Sequence, residues 1–407
     1  MTAPPEWLKD ADWITDPAAV AVLDALEAAG GPDCVRFVGG CVRNALLGER
    51  VSDIDIATQL TPDQVARAMC AADIAVHETG IEHGTLTVVA DRQPYEVTTL
   101  RRDVETDGRR AVVAFTQDWT EDAQRRDFRI NALYADGNGQ LFDPTGGGLD
   151  DLKHRRIVFV GDPETRLRED YLRILRFFRF YAWYGVGEPD AAGLAACSRL
   201  RAGLDGISVE RIWMETKKLL AAPAPMSALT AMESSGVLGQ LFPEAKGLQL
   251  IAKLVALESA QGLAPDVMLR FLSLFWKDAP QMSRVASRLK LSNEERQRLN
   301  WSASDETPLS AAASAAEIQA AIYRVGAQIV RDRALLGRAT DGQDGWGEAA
   351  RLADSWPRPV LPVSGGDLIA AGLSPGPAMG QALRKAEDAW IASDFSLDRD
   401  ALLALVR

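Results

Sequence analysis

The sequence predicts an α+β protein, with a mixed-sheet head at the N-terminus followed by an extended all-α arm. Three observations predict it. Strand-like runs are confined to about the first 145 residues. A glycine pair and a spaced pair of aspartates fall inside that region, at a strand-to-helix turn and a strand edge. Beyond Glu164 the strand signals stop, and helical periodicity rich in Ala and Leu takes over.

In the head, residues 35–38 read as a short strand, Gly39-Gly40 as a turn, and 41–47 as a helix ending at Gly48. The next strand spans 54–58. Positions two apart on a strand share a face, so Asp53 and Asp55 converge while Ile54 and Ile56 turn to the core. Two carboxylates side by side repel and need a cation, and a pair of divalent metals suits in-line attack on phosphorus. Glycines at the turn let backbone approach a ligand, and the helix N-terminus favours negative charge. Arg43, in the first turn, adds a charge-assisted contact to a triphosphate. Alone, DxD is a solvated strand end and GG a turn; in this order and spacing they point to phosphate and metal.

Further strands are predicted over 85–90, 95–100, 112–115 and 140–142, with a hairpin turn at 91–94 and a Thr61-capped helix over 62–70. Glu96 becomes a third acidic group if its strand neighbours that of Asp53 and Asp55; otherwise it is an exposed strand carboxylate. Asp127 and Asn131, four apart, predict one helical face. A carboxylate beside an amide suits a sugar hydroxyl, and Arg126 suits phosphate, although a salt-bridged helix start carries the same residues. The glycine-rich stretch 143–152 reads as a hinge leaving the head.

The arm begins with a locally basic segment, eight cations against five anions over 151–183, interleaved with aromatics that mostly suit a core. Asp170 and Arg173, three apart on a predicted helix, offer an acceptor beside a donor. That pair satisfies the amine and ring nitrogen of cytosine or adenine, whereas uracil and guanine leave buried groups unpaired at ~1–3 kcal/mol each. An intrahelical salt bridge is the plain alternative. Breaks at 221–225 and 302–316 divide the chain into a head (1–150), neck (151–225), body (226–301) and tail (302–407).

Composition bounds the classes. The 407 residues are 47% hydrophobic and 25% charged, with net charge −12, which excludes a protein that coats nucleic acid indiscriminately. No apolar run reaches membrane-spanning length, and 1–10 lacks an apolar signal core. Four cysteines without metal-like spacing predict a reduced, cytoplasmic protein without structural zinc.

Together the motifs resemble the class II tRNA nucleotidyltransferases and bacterial poly(A) polymerases of the polymerase-β superfamily. The resemblance rests on Gly39-Gly40-x-Val42-Arg43, Ser52-Asp53-x-Asp55, Arg125-Arg126-Asp127-Phe-x-Ile-Asn131, Asp143-Pro144, and Glu169-Asp170-x-x-Arg173 with Arg176 and Arg179. It continues through Ile207 to Glu215, which looks like the family's supporting motif. The resemblance implies a polymerase-β-like nucleotidyltransferase head, with Asp53 and Asp55 binding two Mg²⁺ ions. It implies that Gly39, Gly40 and Arg43 contact the triphosphate, that Arg126, Asp127 and Asn131 hold the ribose region, and that Asp170 and Arg173 select CTP and ATP. Arg176 and Arg179 extend the nucleotide-binding set, and 101–118 matches a mobile loop tied to the switch from C to A. The implied activity adds C, C and A to the tRNA 3′ end (acceptor arm), with no protein partner or membrane. Poly(A) addition and CC-only or A-only addition share nearly every motif; the acidic stretch 394–400 favours CCA addition over poly(A). Two departures stand out: Asn44 where the family usually has Asp, and Arg129 in place of Thr, at a position expected to face outward.

Overall fold

The computed structural model describes residues 6–406 apart from 82, 83, 108, 109 and 305. The chain forms two compact units, Met1–Pro243 and Glu244–Arg407.

Nine strands occur among the described residues of the first unit: β1 (Val35–Val38), β2 (Asp55–Thr58), β3 (Ala75–Gly80), β4 (Thr85–Ala90), β5 (Gln93–Thr99), β6 (Arg101–Asp107), β7 (Arg110–Phe115), β8 (Tyr134–Ala135) and β9 (Leu141–Phe142). Seven form one sheet in the order β3-β4-β5-β2-β1-β8-β9, mixed because β2 and β5 run parallel while the other pairs are antiparallel. β6 and β7 pair separately, on the segment expected to be a mobile loop; the tip of that expectation, 108–109, lies outside the described residues. Strand β4 shows why the sheet forms here: Leu86, Val88 and Ala90 are buried, and the residues between them are half-buried.

Helices α1 (Asp12–Thr15), α2 (Pro17–Gly30), α3 (Gly40–Leu47), α4 (Pro62–Ala71) and α5 (Trp119–Gln124) complete the head. Asp16 caps α2 by accepting from Ala18 N at 2.7 Å, and Thr61 with Gln64 forms a capping box on α4. Both helices pack on the sheet. A separate cluster of Val38, Ala57, Leu100, Ala123, Ala132, Tyr134 and Val160 closes beneath Trp119 and Phe142.

The unit continues as helices: α6 (Gly148–Lys153), α7 (Pro163–Glu169), α8 (Leu172–Tyr184), α9 (Ala191–Leu200), α10 (Val209–Leu220), α11 (Met226–Ser234) and α12 (Val237–Leu241). Core packing is the role of most of the aromatics: Phe177, Phe178, Phe180 and Tyr181 are buried, and Trp183 is exposed. The second unit is helical throughout its regular structure, from Gln249–Gln261 to Arg399–Val406. Two apolar clusters hold it, one around Ile322, Val330 and Ala349, the other around Leu368, Ala386, Trp390 and Leu402. No helix among the described residues is long and apolar enough to cross a membrane.

Candidate active site

At the end of β1 the backbone turns through Gly39, whose φ of 73° and ψ of −117° suit glycine alone, and Gly40 opens α3. A Cβ on Gly39 would lie 3.6 Å from Arg126 Nη1, so the turn passes close beneath that guanidinium. Helix α3 ends at the left-handed Gly48, as expected.

Asp55 opens β2 and faces Glu96 directly across the parallel β2–β5 ladder. Glu96 is therefore a neighbour of the aspartate strand, the condition its catalytic reading required. Asp53 departs from expectation: it precedes the strand rather than sharing its pleat. The cause is local. β1 becomes a turn at Gly39, so no partner backbone continues alongside residue 53, and the β1–β2 register closes at Phe37 opposite Ile56. Asp53 is exposed and accepts from Ser52 Oγ at 3.1 Å; Ile56 is buried, Ile54 half-buried. The carboxylates still crowd one another. Burial pushes the Asp55 carboxyl above its ordinary range, and Glu96 and then Asp53 add to the shift, against Arg126 and Arg43. Among the described residues no three acidic, Cys or His side chains form a ready-made metal cage. Mg²⁺ does not need one, since it uses one or two carboxylates and completes its shell with water and substrate phosphate. The donor set fits that ion.

Asp55, Gly39, Gly40 and Arg43 line a cleft of about 440 Å³ together with Asp127, Asn131, Asp170, Arg173 and Arg176. Most of the predicted residues thus meet in one place. Asp53, Glu96 and Arg179 are not part of that lining.

Asp127 and Asn131 are not on a helical face. α5 stops at Gln124, Phe128 is extended, and only a 3₁₀ turn, Arg129–Asn131, follows. The segment is drawn out of helix because it pairs with residues 158–160: Arg129 N donates to Val158 O and Val160 N to Asp127 O, both at 3.0 Å. The pair meets anyway, Asn131 Nδ2 donating to Asp127 Oδ1 at 3.0 Å. Arg176 donates to the other oxygen from Nε at 2.7 Å and Nη2 at 2.5 Å. Burial alone would raise the Asp127 carboxyl, but Arg176 and Asn131 hold it below its usual range.

Asp170 and Arg173 also differ from the expected shared helix. Asp170 is the extended residue between α7 and α8, accepting from Leu172 N at 3.0 Å and from Arg211 Nη2 at 2.6 Å. Arg173 pairs with Glu169 and donates to the Arg166 carbonyl at 2.9 Å. Neither side chain is bonded to the other: Asp170 is held by Arg211 and Leu172 N, and Arg173 by Glu169. Arg179 sits behind the cleft, bonded to buried Glu215 at 2.5 Å, with its guanidinium carbon 4.3 Å from the Phe180 ring centroid.

Sequence reasoning did not single out Asp122, Tyr134, Tyr184 or Arg211. Buried Asp122 takes Arg125 Nε at 2.9 Å, Arg126 Nη2 at 2.9 Å and the Tyr134 hydroxyl at 2.7 Å. Its position three before Arg125 and four before Arg126 was the available signal. Tyr184 lies 141 residues from its partner Arg43, and nothing local marks it.

Residues 35–158 match the Poly A polymerase head domain, and residues 189–248 match a probable RNA and SrmB-binding site of polymerase A. A curated CCA tRNA nucleotidyltransferase 1, mitochondrial, from Mus musculus is 35% identical, covering 92% of this chain and 86% of its own. The chain belongs to the CCA tRNA nucleotidyltransferase family. The CCA-adding enzyme of Limosilactobacillus fermentum is 34% identical over 94% of each chain. The crystal structure of a Bacillus stearothermophilus CCA-adding enzyme in complex with CTP matches with a TM-score of 0.76 at 28% identity, covering 96% of each chain.

For a CCA tRNA nucleotidyltransferase, the two departures are accommodated in different ways. Asn44 keeps its contact to Arg43 through the amide oxygen, which accepts from Nε at 3.1 Å and Nη2 at 2.8 Å. Arg129 is only partly outward: its side chain is 36% exposed, and Nη1 lies 3.7 Å from Asp151 Oδ2.

Proposed function

We propose that this nucleotidyltransferase adds C, C and A to the tRNA 3′ end from CTP and ATP without a nucleic-acid template. The observation that carries the reading is the cleft, lined together by the Gly39-Gly40 turn, Asp55, Asp170 and Arg173. Relatives named CCA tRNA nucleotidyltransferase and CCA-adding enzyme, matched over 86% and 94% of their own length, support it over poly(A) addition.

Asp53 and Asp55 would hold two Mg²⁺ ions, with Glu96 as the adjoining acidic group. When bound, Mg²⁺ lowers the pKa of the attacking hydroxyl and offsets charge on the leaving pyrophosphate. The tRNA 3′-oxygen bonds to the α-phosphorus, and the bond to the β-phosphate oxygen breaks. Gly39, Gly40 and Arg43 take the phosphates. Arg126, Asp127 and Asn131 fix the ribose region, Asp127 being kept ionised by Arg176. Arg179 acts at one remove, by holding Glu215. Asp170 accepts from the exocyclic amine of cytosine or adenine, and Arg173 donates to the ring nitrogen beside it. Residues 151–225 serve as the neck of this site, with 226–301 as body and 302–407 as the tRNA-binding tail. Acceptor-arm recognition there would rest on backbone and shape, as for double-stranded RNA generally. The four cysteines are unpaired, which suits the reducing cytoplasm.

The test is incubation with tRNA lacking CCA, CC-ended tRNA and an unrelated RNA, each with CTP, ATP or both. Addition that stops after CCA is the expected result. A long A tail on every RNA would replace this reading with poly(A) polymerase, and arrest after CC or after a single A would replace it with a partial activity.

A further inference from the structure

Six arginines line the cleft. Five contact a carboxylate: Arg125 and Arg126 contact Asp122, Arg173 contacts Glu169, Arg176 contacts Asp127 and Arg211 contacts Asp170. Among the described residues Arg43 has no such partner. Its acceptors are all neutral: Asn131 Oδ1 at 2.5 Å, Asn44 Oδ1 at 2.8 Å and the Tyr184 hydroxyl at 2.9 Å. The Tyr184 ring centroid lies 4.2 Å from the guanidinium carbon. Burial pushes this guanidinium below its usual pKa, as expected for a desolvated cation without a contacting counter-charge.

The orientation of Asn44 is fixed from its other end, since Nδ2 donates to the Arg50 carbonyl at 3.2 Å. That leaves the amide oxygen for Arg43. We infer that Asn44 is a positioning residue that aligns Arg43 without neutralising it, reserving its charge for the nucleotide's phosphates and favouring triphosphates over shorter nucleotides. The inference rests on the nucleotide-binding reading of the cleft.

An aspartate at position 44 is nearly isosteric. It can keep both hydrogen bonds to Arg43 while supplying the missing counter-charge, and it gives up only the bond to the Arg50 carbonyl, which Asn44→Ala also loses. A charge already satisfied gains less from phosphate, so affinity should fall with the number of phosphates the ligand carries. The test uses the full chain as wild type, Asn44→Asp and Asn44→Ala. CTP and CMP affinities are measured by calorimetry with Mg²⁺, and KM and kcat with CTP on tRNA lacking CCA. Asn44→Asp should weaken CTP on the order of tenfold and CMP less than about threefold, with the kinetic effect falling on KM rather than kcat. Asn44→Ala removes alignment without adding charge, so its CTP-to-CMP affinity ratio should stay nearer the wild-type value. Unchanged CTP affinity in Asn44→Asp, or equal losses for CTP and CMP, would overturn the inference. Should the wild type bind CTP but fail to extend tRNA, the proposed function falls, and the binding ratio still decides the role of Asn44.

Discussion

Asp55 and Glu96 face each other in register across the one parallel pair of the main sheet among the described residues, on strands β2 and β5. Burial disfavours ionisation of Asp55, and the like charge of Glu96 at that spacing adds to the effect. Ionised Asp55 therefore costs stability in the metal-free protein. Asp55→Asn should raise its melting temperature, on the order of 1–3 °C, and shrink the further rise produced by Mg²⁺. The same variant should lose roughly a thousandfold in nucleotide transfer. Thermal scans with and without Mg²⁺, beside a primer-extension assay, check both. A destabilised variant that transfers normally would refute the metal-ligand role.

Asp122 makes the opposite kind of contribution. Burial alone would raise its carboxyl, but Arg126 and Arg125, with the Tyr134 hydroxyl, hold it well below the ordinary range. A depressed folded pKa stabilises above the unfolded value, near pH 4, and that contribution is lost as pH falls through the folded pKa. Asp122→Ala should cost ~3–5 kcal/mol at neutral pH, because it leaves two guanidiniums and a phenol around a hole. The gap to wild type should narrow steadily below pH 4. Urea melts at pH 7, 4 and 3 measure it, and a pH-independent gap would mean that packing rather than charge sets the loss.

These two carboxylates illustrate what was legible in the sequence. Gly39-Gly40, the helix after it and the strand at Asp55 were readable, because glycine turns, caps and alternating β-branched residues act locally. β3, β6 and β8 were not. Strand β6 runs Arg101-Arg-Asp-Val-Glu-Thr-Asp107, too polar for a buried strand, and pairs only with β7 outside the main sheet. The two residues of β8 are too short for any periodic signal. In the site, Asp127 with Asn131 and Asp170 with Arg173 were assigned helical geometry from their spacing. Pairing of 127–129 with 158–160, distant in sequence, and the break between α7 and α8, where Asp170 is extended and accepts from Leu172 N, decide otherwise. All four residues nevertheless line one cleft, although their local geometry was misread. Tyr184 and Arg211, partnered across 141 and 41 residues, had no local mark.

Gly39 offers a test of the turn itself. Its φ of 73° with ψ of −117° is a region L-residues avoid, and an added Cβ would only touch Arg126 rather than clash. Gly39→Ala should therefore cost ~1–3 kcal/mol through backbone strain. It should also weaken nucleotide binding, because relief of that strain moves the amides at the start of α3. Chemical denaturation and CTP titration report the two effects separately. A neutral Gly39→Ala would show that the turn tolerates other conformations.

Selectivity among bases should depend on Asp170 more than catalysis does. Its Oδ1 is held by Leu172 N, which orients the carboxylate, while Oδ2 meets Arg211 at the cleft wall. Cytosine and adenine both present an amine that an acceptor here satisfies, whereas uracil and guanine present a carbonyl to the same oxygen. Replacing the acceptor by a methyl group removes the preferred partner for one pair and the repulsion against the other. Asp170→Ala should therefore narrow the preference for CTP over UTP, and for ATP over GTP, by roughly ten- to a hundredfold. Metal-dependent transfer should survive, because Asp55 and the Gly39 turn are untouched. Single-turnover incorporation of each of the four nucleotides onto CC-ended and CCA-less tRNA gives the ratios. Equal slowing of all four, with the wild-type order kept, would assign Asp170 to holding Arg211 and the α7–α8 junction rather than to reading the base.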